Sequence, residues 1–214
     1  LINCHDHVLH KSRPLGTGAG RKPEPVNESP GFYALESARG ALMELHQGVT
    51  TIREMAGPSV SDIRSPGYTN VDLRDAIEAG LAGPRILACR LAVTMTGGHG
   101  YPAFAIREAD GPDEVRKAVR EQVKGGADFI KIMSSGGFSH YPHEDPRTAQ
   151  LTVEELRAAA DEAHRQSRLI TAHAIADQGI RNSIEGGIDT IEHGFLMAGD
   201  TVKMMVDRQL SFVP

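Results

Sequence analysis

Tryptophan is absent, and Phe and Tyr bring the aromatic share only to 5%. That scarcity fits an Ala/Gly/Val/Ile-rich α/β protein better than a β-sandwich. Only two cysteines occur, Cys4 and Cys89, too few for a disulfide framework, so a reduced, cytoplasmic setting is the default expectation. No apolar run is long enough to span a bilayer, so no membrane partner is expected. The first residues show no charged segment followed by an apolar one, so no signal peptide is read there. Charge of one sign is also missing in any block. The net charge is -5, and no basic strip interleaved with aromatics points to nucleic acid. What remains is a chain of 214 residues, 40% hydrophobic and 24% charged, enough for one domain with a real core.

Strand and helix patterns alternate along that chain. Residues 1–4 read as a first strand, and a polar Gly/Pro-rich loop follows to about Pro30. Residues 34–46 have helical periodicity, with Leu35, Ala38, Leu42 and Leu45 on one face. A second strand is expected over 49–53, a helix over 71–79 and a third strand over 85–89. Pro112 suits the first turn of a helix that Gly125-Gly126 ends. Residues 128–133 form the fourth expected strand, and Thr152 with Glu155 makes a capping box for the next helix. Strands over 169–173, 190–193 and from 210 onward, with helices over 177–185 and 201–208 between them, complete the pattern. Repeated βαβ units imply a parallel sheet, either doubly wound or closed as a TIM-type (β/α)8 barrel.

The placement of polar residues selects the barrel. His5 and His7 alternate along a strand and so point to one side. His173 and His193 close later apolar strands, Lys131 lies within Phe129-Ile130-Lys131-Ile132-Met133, and His99 follows the third strand. In a barrel the carboxyl ends of all strands face one mouth, where such residues meet. In an open sheet they could not converge on one ion. A lone histidine closing a strand is more often a core histidine with one satisfied hydrogen bond. Ligand types at the ends of several strands point instead to a metal site. Lys131 in an apolar strand is either an outward lysine paired with an acid or a buried amine of lowered pKa. A neutral amine reacts with carbon dioxide to give a carbamate, whose two oxygens can bridge two metals.

These residues resemble the amidohydrolase superfamily of metal-dependent hydrolases. The matching features are His5-Asp6-His7, Lys131 in Ile-Lys-Ile-Met, Ala172-His173-Ala174 and Ile191-Glu192-His193-Gly194. Gly48 to Glu54, Gly83 to Leu87, Thr94 to Gly100, Ile130 to Gly137 and Glu154 to His164 are similar to its imidazolonepropionase-related and prolidase-like branch. The resemblance covers essentially the whole of residues 1–214, read as part of a hydrolase barrel with strands 1 to about 7. It implies that His5 and His7 hold one divalent metal, His173 and His193 a second, and carboxylated Lys131 bridges them. Zinc suits these ligands first, with manganese, iron or cobalt as alternatives. A metal-activated hydroxide would then cleave an amide or peptide-like C–N bond in a small-molecule substrate. His99 would serve the catalytic step by donating to the developing oxyanion, or bind a substrate carbonyl, with Gly97, Gly98 and Gly100 leaving room for close approach.

The family pattern also needs an aspartate at the end of an eighth barrel strand, and a β-sandwich built from the termini. Neither is present, so these residues are expected to be an internal portion of a longer protein, neither stable nor active alone. Prolidase-like relatives cleave dipeptides or other N-acyl amino acids. Many carry Tyr at a substrate-contacting position that is Ile175 here. Arg53 and Arg107 could bind a substrate carboxylate but read more readily as solvated, and His10, His140 and His143 fall on mouth-side loops. His46 and His164 read as surface or packing residues on helices. A mononuclear deaminase or imidazolone-type cyclic amidohydrolase is the alternative enzyme, against which Lys131 argues. A catalytically dead metal-binding barrel is the alternative of another class. The oligomeric state is open, a homo-oligomer included.

Overall fold

The computed structural model describes residues 1–8, 29–57, 70–101, 104–138 and 144–214. Strands alternate with helices in the order β1 (Ile2–Asp6), α1 (Pro30–His46), β2 (Thr51–Glu54), α2 (Asn70–Glu78), β3 (Arg85–Ala88), β4 (Ala92–Thr94), β5 (Ile106–Glu108), α3 (Gly111–Lys124), β6 (Ile130–Met133), α4 (Val153–Arg165), β7 (Ile170–Ala174), α5 (Asp177–Gly186), β8 (Thr190–His193), α6 (Gly199–Asp207) and β9 (Ser211–Val213). Local signals account for the helix ends. Thr152 Oγ1 and the Glu155 carboxylate reciprocally cap the start of α4, and Gly187, at φ 86°, ends α5 in a left-handed turn.

Every pairing between these strands is parallel. One sheet runs β1-β2-β3 and the other β5-β4-β6-β7-β8-β9. The expected third strand is β3, on the edge of the first sheet, and β4 and β5 are strands the sequence did not lead one to expect. Arg90, at φ 65°, turns the chain after β3, so that β4 pairs with β6 instead. The Asp128 amide still donates to the Ala88 carbonyl (2.8 Å), which joins the two sheets across the break. The strands thus follow one another in barrel order, and the chain has the TIM-type arrangement with the barrel not closed: β1 and β9 do not pair with each other.

The largest core cluster lies between the second sheet and α3, α4 and α5, with Ile130, Ile132, Leu156, Ile170, Ile180, Ile184, Ile188 and Ile191 all buried. A smaller one packs α1 and α2 on the first sheet through Tyr33, Ala41, Ile52, Leu73 and Ile86. Here α1 departs from expectation. Its buried face is Tyr33, Ser37, Gly40, Ala41 and Glu44, whereas Leu35 is 74% exposed. Small residues let the helix lie close to the sheet, and that close approach outweighs the leucine stripe. No helix among the described residues is long and apolar enough to cross a membrane.

Candidate active site

The parallel strands deliver their carboxyl ends to one side, and five of the six expected site residues meet there with Lys131 beneath them. The rings of His5 and His7 are 5.3 Å apart, His5 and His193 4.7 Å, His193 and His173 4.8 Å, and His173 stacks on His99 at 3.9 Å. Lys131 is among the largest fully buried side chains in the chain. Its Nζ makes no hydrogen bond. Its charge nevertheless bears on His5, His173 and His193.

Hydrogen bonds assign the ring protons. His5 Nδ1 donates to Glu192 Oε2 (2.7 Å) and His7 Nδ1 to the Ala56 carbonyl (2.8 Å), which places a lone pair on Nε2 of each. His173 Nε2 donates to the Gly136 carbonyl (3.2 Å), which places its lone pair on Nδ1. Burial, reinforced by the Lys131 charge, pushes the His5 ring below its ordinary value and that of His193 down to about 3. Burial and the neighbouring His99 hold His173 well below its ordinary value. Neutral imidazoles are the form that binds metal. Burial also pushes the Lys131 amine down to about 8.

Two backbone positions here are strained. His193 itself has φ 73°, and Ala56, whose carbonyl holds His7, has φ 102°. Such conformations cost on the order of 1–3 kcal/mol each in non-glycine residues and gather where function demands a fixed geometry. Gly194 follows His193 at φ 60°, and a Cβ there would lie 2.6 Å from the Phe212 ring.

Glu192 is the member that sequence reasoning left without a role. It is fully buried and receives hydrogen bonds from His5, Arg53 and Thr171, on β1, β2 and β7. Burial alone would raise its carboxyl, but the His5 hydrogen bond, the Lys131 charge, Thr171 and Arg53 outweigh burial and hold it low. The signal that singled out Lys131, a charge within an apolar strand, applies equally to Glu192. Arg53 is correspondingly not a solvated arginine. It pairs with Glu192, donates to the Cys4 carbonyl (2.7 Å) and lies 5.6 Å from the centre of the Phe129 ring. Arg107 pairs with Glu121 (2.8 Å).

His99 is 5% exposed rather than solvent-facing, and its Nδ1 donates to Glu144 (2.9 Å). Of the glycines around it, Gly97 borders open space, while Gly98, Gly100 and Gly137 are closely packed. A Cβ on Gly98 would collide with Thr94 Oγ1, and one on Gly137 with the His99 ring. Ile175 is buried, its amide donating to Ser135 Oγ (2.8 Å) and its carbonyl accepting from Leu196 (3.1 Å). Cys89 is free and buried, and burial pushes its thiol up to about 12, which leaves it no nucleophilic role at neutral pH. His10, His140 and His143 lie outside the described residues. Among the described residues, His, Cys, Asp and Glu side chains form no group of three or more that by itself closes on an ion. The imidazoles are gathered about a lysine instead.

Residues 1–212 match the amidohydrolase family. The chain belongs to that family. Among its relatives is ochratoxinase of Aspergillus niger, 30% identical over 200 residues, which cover 82% of this chain and 39% of that protein. Two solved structures superpose on all of it. One is a prolidase complexed with N-methylphosphonate-L-proline (TM-score 0.81, 30% identity, 52% of that chain). The other is a Xaa-Pro dipeptidase with methionine bound in its active site (TM-score 0.80, 29% identity, 52% of that chain). This amidohydrolase chain therefore spans about half the length of the solved relatives, and less of the ochratoxinase.

Proposed function

We propose that these residues form part of the barrel of a metal-dependent hydrolase that cleaves an amide or peptide-like C–N bond. The observation that carries this reading is Lys131: a buried amine without a hydrogen-bond partner, set among neutral imidazoles at the carboxyl ends of parallel strands. As an amine it is an uncompensated cost to the fold. As a carbamate it becomes a two-oxygen acceptor suited to bridge divalent metals, and its amine, pushed down to about 8, supplies the neutral form that carbon dioxide needs.

The donor set fits that group. His5 and His7 present Nε2 lone pairs from one strand, and His173 and His193 would serve a second ion from two adjacent strands. Imidazole with a carboxylate-type bridge suits zinc first. Divalent metals so held supply Lewis acidity, lowering the pKa of water and polarising a carbonyl. The chain's own residues do the rest. Glu192 fixes the orientation and tautomer of His5. Glu144 holds the proton of His99 on Nδ1, and His99, stacked on His173, is placed to orient a substrate carbonyl.

The named activities of the prolidase and Xaa-Pro dipeptidase relatives favour a dipeptide as substrate, and an N-acyl amino acid offers the same kind of scissile bond. The test is hydrolysis of a panel of dipeptides and N-acyl amino acids by the complete protein, before and after dialysis against a chelator. The reading expects turnover that chelation abolishes and zinc restores. Turnover indifferent to chelation, or none after metal loading, would overturn it.

A further inference from the structure

Two phenylalanines stand exposed at the mouth although each directly follows a buried glycine, Gly137 and Gly194. Residues 134–137, after β6, are all buried, and Phe138 then emerges 56% exposed. Gly194, after β8, is buried, and Phe195 emerges 62% exposed. The two rings lie 6.2 Å apart, and that of Phe195 is 5.8 Å from His193. Exposed aromatics on a loose loop would be unremarkable surface residues. These are held.

The segment leading to Phe138 is tied at several points. Ser134 Oγ donates to the Gly179 carbonyl (2.8 Å) and accepts from Ser183 Oγ (2.8 Å), and the Gly136 amide donates to Thr148 (3.0 Å). Gly137 lies close against the His99 ring, where a Cβ would collide. The segment carrying Phe195 is tied as well. Gly194 donates to Ala174 (3.1 Å), and Ala198 donates to Asp177 Oδ1 (2.7 Å). Ile175 joins the two segments, since its amide donates to Ser135 Oγ and its carbonyl accepts from Leu196. The Phe pair is therefore carried on two cross-linked, inward-anchored stretches, and its apolar surface is held open beside the candidate catalytic histidines at a standing hydrophobic cost.

We propose that Phe138 and Phe195 form a specificity subsite that receives an aromatic or bulky apolar side chain flanking the scissile amide, so that the substrate class is N-acyl amino acids or dipeptides with such a group. This rests on the hydrolase reading above for the placement of the scissile bond beside His193. Pre-anchored rings give up little freedom on binding, so the apolar area they cover goes into affinity. Burying one ring-sized group between them is worth on the order of a tenfold tightening.

Calorimetric titration of the complete protein with N-acetyl-L-phenylalanine, N-phenylacetylglycine and N-acetylglycine tests this without needing turnover. At least one of the two aromatic ligands is expected to bind about tenfold more tightly than N-acetylglycine. Phe138→Ala and Phe195→Ala are each expected to erase most of that preference, with circular dichroism and thermal midpoint unchanged, whereas Phe195→Leu keeps part of it. Equal binding of the three ligands, or a preference that survives both alanine variants, would overturn the subsite. A parallel hydrolysis assay on the same compounds separates the two ideas: binding preference without any metal-dependent turnover retains the subsite and removes the hydrolase reading.

Discussion

Lys131 and Glu192 are the residues at which charge, burial and chemistry meet. A buried amine with no hydrogen bond destabilises a fold by about 1–3 kcal/mol. Lys131→Met is therefore expected to raise the stability of the metal-depleted protein by about 1 kcal/mol or more while ending activity, as read by chemical denaturation beside an activity assay. A lower denaturation midpoint would contradict the assignment. Glu192→Gln should act in the opposite sense. It leaves Arg53 without its buried counter-charge, which costs about 3–5 kcal/mol, and loosens His5, which weakens metal binding about 10- to 100-fold. Competition with a zinc chelator reads the second effect, and unchanged zinc affinity would remove Glu192 from its positioning role. The four expected histidines were legible at this scale because each lies at or just past the end of a strand, and alternation points His5 and His7 to one side. Glu192 and Arg53 were not, because an ion pair between β2 and β8 depends on which strands face each other across the barrel.

Among the elements, the six helices and every strand except β4 and β5 stood close to where expected. Thr152 with Glu155 and Gly125-Gly126 are local signals and stood where expected. β4 and β5, of three residues each, carry too little periodicity to be read, and both fall after the turn at Arg90, beyond the expected third strand. The face of α1 was misjudged because leucines weigh more in a periodicity than the small residues that permit close packing. One element junction carries a pH-dependent test. Asp177, at the start of α5, accepts from Ala198 (2.7 Å), Thr201 Oγ1 (2.7 Å) and Arg181 (2.8 Å), linking α5 to α6. Burial would raise its carboxyl, but these donors outweigh burial and hold it below its ordinary 3.8. Its folded value is thus depressed, so its contribution is present above pH 3.8 and is lost as pH falls through the folded value. Asp177→Asn should cost about 1–3 kcal/mol at neutral pH, and the difference from the unsubstituted protein should shrink in acid. A pH-independent difference in urea midpoints would contradict this.

The molecule as a whole is an open arc of parallel strands; the βα alternation made the parallel sheet legible, and the polar residues at the strand ends made its barrel order legible. The two outer strands show what the arc leaves uncovered. Leu1 and Ile2 at β1 are 80% and 70% exposed, and Phe212 on β9 is 46% exposed. Unpaired parallel edges with apolar surface favour association. Residues 1–214 expressed alone are expected to self-associate, and a stable monomer by analytical ultracentrifugation would contradict that expectation.

The central claim is that His5, His7, His173 and His193 hold two ions bridged through Lys131. The direct measurement is elemental analysis of the complete protein, purified after zinc loading, beside its Lys131→Ala variant. The account predicts about two metal equivalents per chain, falling by about one in the variant. A complete protein that takes up no metal, or a variant that binds as much as its parent, would contradict it.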